Sequence, residues 1–256
     1  MIFAIDIGNT NIVLGCIENG EILNITRIRT EAEATAAEYA IKIKEILDLY
    51  QMNVRSFEGA ILSSVVPPIN KVVSDAVHMV TGIECMIVGP GIKTGLNIKI
   101  DDPATLGADL AVGAVAAIAY YGAPAIVIDM GTATTITAVD ETNSFVGGAF
   151  IPGLKLGLNA LSAGTSLLPD ISITAPPMAL AKNTVDSMRS GAVYGTADMI
   201  DGMIERFEKE LGAKCNVIAT GGLAQAVVGF CRHEIAYDDN LLLKGLWVIY
   251  RKNIKK

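Results

Sequence analysis

Two short segments of this 256-residue chain contain the residue types that bind phosphorylated ligands, and both follow one pattern. The first segment runs from Phe3 to Gly15 and the second from Ile126 to Thr137. Each has an apolar run that ends in Asp, then one apolar residue, Gly, a short polar cluster and a second β-prone run. This pattern predicts a β-hairpin. The second hairpin follows the first by about half the chain, which indicates an internal duplication.

The turns of the two hairpins have the chemistry of an anion site. Gly8 and Gly131 are expected to adopt positive φ and to let the backbone approach a ligand closely. Backbone N–H groups in such turns bind anionic oxygens. The side chains that add donors are Thr10, Asn11, Thr132, Thr134 and Thr135. Asp6 and Asp129 would repel a phosphate, so each is better suited to hold a cation that bridges to one. Two ordinary hairpins with polar turns are the alternative, which the repetition disfavours.

A third carboxylate lies at the start of an Ala-rich helix. Asp109 follows Gly107 and Ala108, and Leu110 begins an apolar stretch. The positive end of the helix dipole stabilises a negative charge at this position. Asp109 is therefore either a functional carboxylate or a first-turn residue that serves only the helix.

The elements around these residues repeat in order. The predicted strands of the first half are 2–7, 11–17, 21–29, 60–66, 85–88 and 96–100, with helices from Thr35 and from Pro68 to about Val80. The second half has strands at 125–130, 133–140, 144–151 and 216–219. Its predicted helices run from Pro152-Gly153 to about Ala163, from the Asn183 cap, after Thr220-Gly221-Gly222, and over 240–253. This order predicts an α/β fold of two homologous lobes, residues 1–118 and 119–256, with a nucleotide cleft between them.

The composition excludes several classes of protein. The net charge of −7 argues against a nucleic-acid surface. The four cysteines lack C-x-x-C spacing, so buried reduced thiols are expected, and the two histidines lack metal-ligand spacing. The strand pattern that begins at Met1 predicts no signal peptide, which favours the cytoplasm.

One segment imitates a membrane span. Residues 110–128 carry no formal charge, but Gly113, Gly122 and Pro124 interrupt them. We interpret the segment as a buried helix to about Tyr121, a tight turn and a buried strand. A transmembrane helix is the alternative.

The motifs together resemble the superfamily of acetate and sugar kinases, heat-shock ATPases and actin. The two Asp-x-Gly hairpins resemble its two phosphate motifs, and Thr220-Gly221-Gly222 resembles its adenosine motif. Within that superfamily the chain resembles the type III pantothenate kinases. The segments that carry this resemblance are Asp6-Ile7-Gly8-Asn9-Thr10-Asn11, Gly107-Ala108-Asp109, Asp129-Met130-Gly131-Thr132-Ala133-Thr134-Thr135 and Asn183-Thr184-Val185.

The resemblance implies a fold, a reaction and partners. The fold is a pair of ribonuclease-H-like lobes, each with the order βββαβα. The reaction is ATP-dependent phosphorylation of the pantothenate hydroxyl, the first step of coenzyme A biosynthesis. The implied cofactors are Mg²⁺–ATP and a monovalent cation, K⁺ or NH₄⁺. The implied state is a cytoplasmic homodimer that binds neither nucleic acid nor a membrane.

The resemblance also implies residue roles. Asp109 would be the general base, Asp6 would organise the Mg²⁺–ATP through water, and Asp129 would bind the monovalent cation. The ATP-binding residues would be Asp6, Ile7, Gly8, Asn9, Thr10, Asn11, Ile12, Val13 and Thr132, with Gly221 and Gly222 at the nucleoside. The pantothenate residues would be Gly107, Ala108, Asp109, Leu110 and Thr184.

Two positions depart from the family pattern. The family usually has Arg where this chain has Leu110, and often Tyr where it has Ile100. Loss of a cation near a carboxylate-bearing substrate removes a charge-assisted hydrogen bond worth about 1.5–3 kcal/mol. Lys99, Lys93 or another cation could replace the Arg. A non-catalytic accessory relative and a kinase for another small hydroxy acid or sugar are therefore the alternatives.

Overall fold

The computed structural model describes residues 1–254, which form two compact units. The first unit contains residues 1–96, residues 101–119 and the chain from Leu241 onward. The second unit contains residues 97–100 and 120–240. Each unit is built on one β-sheet flanked by helices.

The regular elements in chain order begin with β1 (Ile2–Ile7), β2 (Asn11–Glu18), β3 (Glu21–Arg29), α1 (Ala36–Leu49), β4 (Gly59–Ser64), α2 (Pro67–Thr81), β5 (Cys85–Ile87), β6 (Asn97–Ile98) and α3 (Ala108–Tyr120). They continue with β7 (Ala125–Met130), β8 (Ala133–Val139), β9 (Ser144–Pro152), α4 (Leu154–Gly164), α5 (Thr184–Ser190), α6 (Thr196–Leu211), β10 (Asn216–Thr220), β11 (Ala236–Tyr237) and α7 (Leu241–Asn253).

The first sheet has the order β3-β2-β1-β4-β5, with β1 antiparallel to β2 and parallel to β4. Every residue of β1 is buried, because helices cover both faces of the sheet. Phe3, Ile5 and Ile7 pack with residues of α1 and α2. Ile2 and Ala4, on the opposite face, pack with residues of α3 and α7. The helix predicted from Thr35 is confirmed as α1. A capping box begins it, in which the side chains of Thr35 and Glu38 each accept from the other's backbone N–H.

The last helix belongs to the first unit, which differs from the predicted division at 118/119. Leu243, Leu246 and Ile249 form one cluster with Ile2 and Ala4. Two glycines give α7 room. A Cβ on Gly15 would lie 2.8 Å from Leu243 Cδ1, and one on Gly59 would overlap the Tyr250 ring. The apolar face of α7 thus packs in the core of the first unit, although α7 follows the second unit in sequence.

The second sheet has the order β11-β10-β7-β8-β9-β6. Strands β9-β8-β7-β10-β11 repeat the order of β3-β2-β1-β4-β5, and the α/β fold with two related sheets is confirmed. The short strand β6 extends the second sheet beside β9. The predicted strand at 96–100 therefore exists, but it pairs within the second unit.

Three segments of the second unit differ in detail from the prediction. The chain after Gly222 forms two 3₁₀ turns, Ala224–Ala226 and Val228–Phe230, where the sequence predicted a helix. Ala224 and Val227 are both fully buried, and a spacing of three residues suits a 3₁₀ turn. The helix capped by Asn183 passes through one π turn, Gly191–Gly195, between α5 and α6.

The uncharged segment 110–128 is divided between α3 and β7, as the sequence predicted. Within residues 1–254, no helix has the length and apolar character needed to cross a bilayer.

Candidate active site

The first carboxylate of the site is held by the first sheet. Asp6 is the penultimate residue of β1, and its side chain is only 9% exposed. It lies opposite Val13 on β2 and Ser63 on β4. The carboxyl ends of the parallel strands β1 and β4 thus lie at one edge of the sheet, where ligands of open α/β sheets bind.

The turn after Asp6 is fixed by backbone contacts. The Gly8 N–H donates to the Asn11 carbonyl at 2.9 Å, and the Thr30 hydroxyl donates to the Gly8 carbonyl at 2.7 Å. The Thr30 N–H also donates to the Thr10 carbonyl at 3.0 Å. Asn9, Thr10 and Asn11 are exposed and can meet a ligand. Thr30, which directly follows β3 and was not among the predicted site residues, thus holds this turn.

Two of the predicted ATP residues contribute no side chain to this turn. Ile7 and Ile12 are 0% exposed and belong to the core between the first sheet, α1 and α2. Any contact that they make with a ligand must come from their backbone. Val13 is half-buried and packs on the opposite face of the sheet.

The expectation of positive φ at Gly8 and Gly131 is wrong, since neither glycine lies in the left-handed region. The turns are tight for a different reason. A Cβ on Gly8 would lie 3.1 Å from the Asn11 carbonyl. The Gly131 N–H makes the equivalent bond, donating to the Ala133 carbonyl at 3.1 Å. A side chain would therefore be crowded within the turn at Gly8, whereas a Cβ on Gly131 would make only an ordinary contact, 3.6 Å from the Ala133 carbonyl. Close approach of either turn to a ligand stays a prediction.

The second carboxylate occupies the equivalent place in the second sheet. Asp129 lies opposite Thr135 on β8 and Thr220 on β10. Gly221 has a φ of 92°, and a Cβ there would lie 2.6 Å from Asp129 Oδ1 and 2.7 Å from the Met130 backbone. The predicted adenosine turn thus packs tightly against Asp129, and only glycine fits at position 221. Gly222 has open space around its Cβ position.

Thr132 is exposed at the tip of the second hairpin and is supported from below by Gly153. A Cβ on Gly153 would overlap the carbonyl of Thr132 and would lie 2.7 Å from the carbonyl of Gly131. Gly153 is the N-cap of α4, so the hairpin tip packs closely against the start of this helix. The sequence predicts only a helix start at Pro152-Gly153, because the contact between Gly153 and the hairpin tip joins segments that are distant in sequence.

Asp109 is the third carboxylate, in the first turn of α3. Burial raises its pKa above the ordinary value, and a 2.8 Å hydrogen bond from the Leu110 N–H offsets only part of that rise. A Cβ on Gly107 would lie 2.5 Å from Asp109 Oδ1, so glycine leaves room for the carboxylate. Asp109 is half-buried, and a carboxylate with a raised pKa is a better proton acceptor than one with the ordinary value.

The second unit contains a cavity of about 890 Å³ between α4 and the helix that begins at α5. This volume suits a small-molecule ligand. Its apolar lining includes Leu154, Leu158, Leu161, Leu168 and Met188, and its polar lining includes Lys182, Asn183, Thr184, Ser187 and Thr196. Thr184 is the first residue of α5, which Asn183 caps by accepting from the Asp186 N–H at 2.9 Å. Thr184, which the resemblance assigns to the substrate, thus lies in the lining of this cavity.

The predicted residues form two groups, one in each unit. In the first unit, Asp6 shares a sheet face with the cluster that contains α3, the helix of Asp109. In the second unit, Asp129 meets Gly221, while Thr132 meets Gly153, which also lines the cavity of Thr184.

Comparison with known proteins identifies the family. The sequence profile of type III pantothenate kinase matches residues 2–206. A type III pantothenate kinase of Halalkalibacterium halodurans is 41% identical over 254 residues, which cover 99% of this chain and 100% of that protein. The chain belongs to the type III pantothenate kinase family. Membership of a kinase family implies ATP and a divalent metal ion as reactants.

Solved structures share the fold of this family member at low identity. Component A of the (R)-2-hydroxyglutaryl-CoA dehydratase of Acidaminococcus fermentans is 16% identical, with a TM-score of 0.56 over 98% of this chain and 97% of that one. The activator of the 2-hydroxyisocaproyl-CoA dehydratase of Clostridium difficile, solved with bound ADPNP, is 13% identical. Its TM-score is 0.55 over 100% of this chain and 98% of that one.

Lys99 was one candidate to replace the Arg that the family usually has where this chain has Leu110, but its ammonium group already has two partners. Its ammonium group donates to Asp140 Oδ2 at 2.8 Å and to the Thr142 hydroxyl at 3.0 Å. Burial alone would raise the pKa of Asp140. The bonds from Lys99, Thr142 and the Ser144 N–H outweigh that effect and hold the pKa well below its usual range. Lys99 thus ties β6 to the hairpin between β8 and β9, and the suggestion that it replaces the Arg is disfavoured.

The carboxylates fit the metal ions of a kinase in a limited way. Within the described part of the chain, no three His, Cys, Asp or Glu side chains group closely enough to hold a metal ion. Mg²⁺ in kinases is held by one or two carboxylates, waters and substrate phosphates, and needs no cage of protein ligands. Asp6, which is buried beside an exposed polar turn, matches this requirement.

Proposed function

We propose that this protein transfers the terminal phosphoryl group of ATP to the hydroxyl of pantothenate, giving 4'-phosphopantothenate and ADP. This is the first step of coenzyme A biosynthesis. The observation that carries the proposal is the position of Asp109, a half-buried carboxylate in the first turn of α3 for which Gly107 leaves room. Burial raises the pKa of this carboxylate, which suits a general base. The 41% identity to a type III pantothenate kinase over nearly the whole chain supports the choice of acceptor.

In the proposed reaction, Asp109 accepts the hydroxyl proton while the hydroxyl oxygen attacks the terminal phosphorus. The bond from that phosphorus to the bridging oxygen breaks, and ADP leaves with the electron pair. Positioned carboxylate bases contribute about 10²- to 10⁴-fold to such rates. The remainder comes from positioning and charge stabilisation, which dominate phosphoryl transfer.

We assign the ATP contacts to the two hairpin turns and the adenosine turn. Asp6 would hold Mg²⁺ through water, and bound Mg²⁺ would neutralise phosphate charge. The turn from Asp6 to Val13 and Thr132 would bind the phosphates, with Gly221 and Gly222 beside the nucleoside. Asp129 would bind K⁺ or NH₄⁺. The support for these roles is the equivalent register of Asp6 and Asp129 in the two sheets.

We assign the pantothenate contacts to Gly107, Ala108, Leu110 and Thr184, with Asp109 as the base. Leu110 cannot neutralise a substrate carboxylate as the Arg usual in the family would. Lys182 lies at the lining of the cavity that contains Thr184, and it is our candidate for this charge.

We also propose a cytoplasmic homodimer. The second unit exposes large apolar side chains on and around α4, which suit burial against a second copy. The most exposed of these are Phe150 at 72%, Leu180 at 84% and Leu167 at 87%. All four cysteines are free thiols, as a reducing compartment requires.

The test is an assay of ADP release by the purified protein with ATP, Mg²⁺ and K⁺, with and without pantothenate. Turnover that depends on pantothenate is expected. Turnover with another hydroxy acid but not with pantothenate would reassign the acceptor, which the Leu110 substitution makes a specific alternative. Absence of turnover in folded protein with K⁺ or NH₄⁺ would favour an accessory protein.

A further inference from the structure

One hydroxyl group near Asp6 is buried without a partner. Ser63 is 0% exposed, and its Oγ has no hydrogen-bond partner within residues 1–254. Three other side-chain atoms in the described chain share this condition, but they belong to the half-exposed residues Asn24, Thr26 and Asn70. Burying a hydroxyl without a hydrogen bond is unfavourable. Alanine would fit this position without that cost, so the hydroxyl calls for an explanation.

The position of Ser63 gives that explanation. It is the penultimate residue of β4, as Asp6 is of β1, and the two residues are direct partners in the parallel ladder. Partners in a ladder point to the same face of a sheet. The residues two positions earlier, Ala4 and Ile61, both belong to the cluster that includes α3. Ser63 therefore shares with Asp6 the face on which the helix of Asp109 packs.

The second sheet repeats this arrangement. Asp129 is the direct parallel partner of Thr220, as Asp6 is of Ser63. Thr220 begins the turn that we assign to the nucleoside. Each unit thus pairs one carboxylate with one hydroxyl side chain at the carboxyl ends of its two central parallel strands. A pairing kept in both units, whose sequences otherwise differ, indicates a shared use.

We propose that Ser63 is a binding residue for the Mg²⁺–nucleotide, with its hydroxyl bonded to a water of the metal hydration shell that Asp6 also holds. The proposal rests on the proposed function and adds a residue to its nucleotide site. Ser63 gains in the complex the partner that it lacks in the free protein. Its hydroxyl therefore contributes to binding and not to folding.

The test compares Ser63→Ala with Ser64→Ala, its neighbour in the same strand. The side chain of Ser64 points to the other face, and its Oγ accepts from the Val66 N–H at 2.9 Å, a structural bond. The melting temperature of each nucleotide-free variant is measured by calorimetry. The Kd for a non-hydrolysable ATP analogue is measured by titration calorimetry, with Mg²⁺ and again with EDTA.

Ser63→Ala should melt at or above the wild-type temperature and bind the Mg²⁺ analogue about 10- to 100-fold more weakly, the loss expected for a charge-assisted hydrogen bond. Its Kd in EDTA should change less. Ser64→Ala should melt lower and bind the analogue as the wild type does. Three results would overturn the proposal: wild-type Kd in Ser63→Ala, equal weakening in both variants, or no analogue binding by the wild type.

These readouts separate the proposal from the proposed function. A wild-type protein that binds the Mg²⁺ analogue but does not phosphorylate pantothenate would refute the acceptor assignment, while the Kd of Ser63→Ala would still decide the role of Ser63.

Discussion

The two units share one strand order, and Asp6 and Asp129 occupy equivalent positions in their sheets, but the elements around the two sheets differ. In the first unit, helices cover both faces of the sheet, and β1 is buried along its whole length. The second unit adds β6 and a π turn, and it contains the cavity and the two most exposed apolar side chains, Leu167 and Leu180. The comparison shows that the duplicated strands place Asp6 and Asp129 in equivalent positions, while the segments between the strands differ from one unit to the other.

The largest expected effect concerns Asp109, whose position the strand repeat does not supply. Asp109→Asn should lower kcat by about 10²- to 10⁴-fold, because the base is lost. Asp101→Asn, an exposed neighbour, is the matched control and should keep wild-type kcat. Equal turnover in wild type and Asp109→Asn would remove Asp109 as the base.

The same variant should be more stable than the wild type at neutral pH. Because burial raises the folded-state pKa of Asp109, ionisation of this carboxyl costs folding free energy once the pH exceeds its ordinary range. In acid the carboxyl is protonated in both states and the cost disappears. The melting temperature of Asp109→Asn should therefore exceed that of the wild type near pH 7 and converge with it in acid.

The next largest effect is a loss of stability expected at the adenosine turn, where the two units differ in sequence. Gly221 follows Thr220, and its counterpart in the first unit is Ser64. Gly221→Ala should lower the free energy of unfolding by about 2–5 kcal/mol, from left-handed strain and overlap with Asp129 and Met130. Gly222→Ala has open space and should change it by less than about 0.5 kcal/mol. Urea titrations measure both, and similar values would mean that Gly221 is not pressed against β7.

A smaller effect is expected when the equivalent carboxylates, Asp6 and Asp129, are replaced one at a time, which tests whether they bind different ions. Asp129→Asn should weaken activation by K⁺ about 10- to 100-fold and leave the Mg²⁺ dependence intact, since one charge-assisted contact is lost. Asp6→Asn should do the reverse. Activity is measured against each ion in turn, and identical profiles for the two variants would make the two sites functionally equivalent.

The smallest effect concerns the strand that only the second unit has. Lys99→Met breaks the ion pair with Asp140 and should cost less than about 1 kcal/mol, because the pair is partly exposed. The wild-type pair keeps the pKa of Asp140 low, so its contribution is present at neutral pH and lost as the pH falls. The difference in melting temperature should shrink in acid. A raised KM for pantothenate would instead reveal Lys99 as a substrate contact.

The hairpins could be predicted from sequence because their signals are local. The β-prone runs between Ile2 and Arg29, divided by the polar turn after Asp6 and by Glu18-Asn19-Gly20, predict three strands whose bounds the structure matches closely. The same holds for the Asp-x-Gly turns, since the sequence pattern places Asp6 and Asp129 near the ends of β1 and β7, where the structure has them. These features depend on few neighbours.

Features that depend on register could not be predicted. Counting back from the turn between β2 and β3 places Arg29 opposite Thr10. A β-bulge between Cys16 and Ile17 shifts the pairing by one residue and brings Thr30 there instead. Thr30 then bonds the Gly8 carbonyl. Because nothing in the local sequence marks the bulge, the bond from Thr30 to the turn could not be predicted.

The place of α7 has a consequence for how the chain is made. The face of the first sheet that carries Ile2 and Ala4 is completed by Leu243, Leu246 and Ile249. The ribosome synthesises about 120 residues between the end of α3 and α7, which takes roughly 6–24 seconds. During that interval part of an apolar surface at the start of the chain lacks its cover. The core of the first unit therefore cannot be completed until α7 has been synthesised, and we expect a chain truncated before α7 to expose this apolar surface to chaperones and proteases.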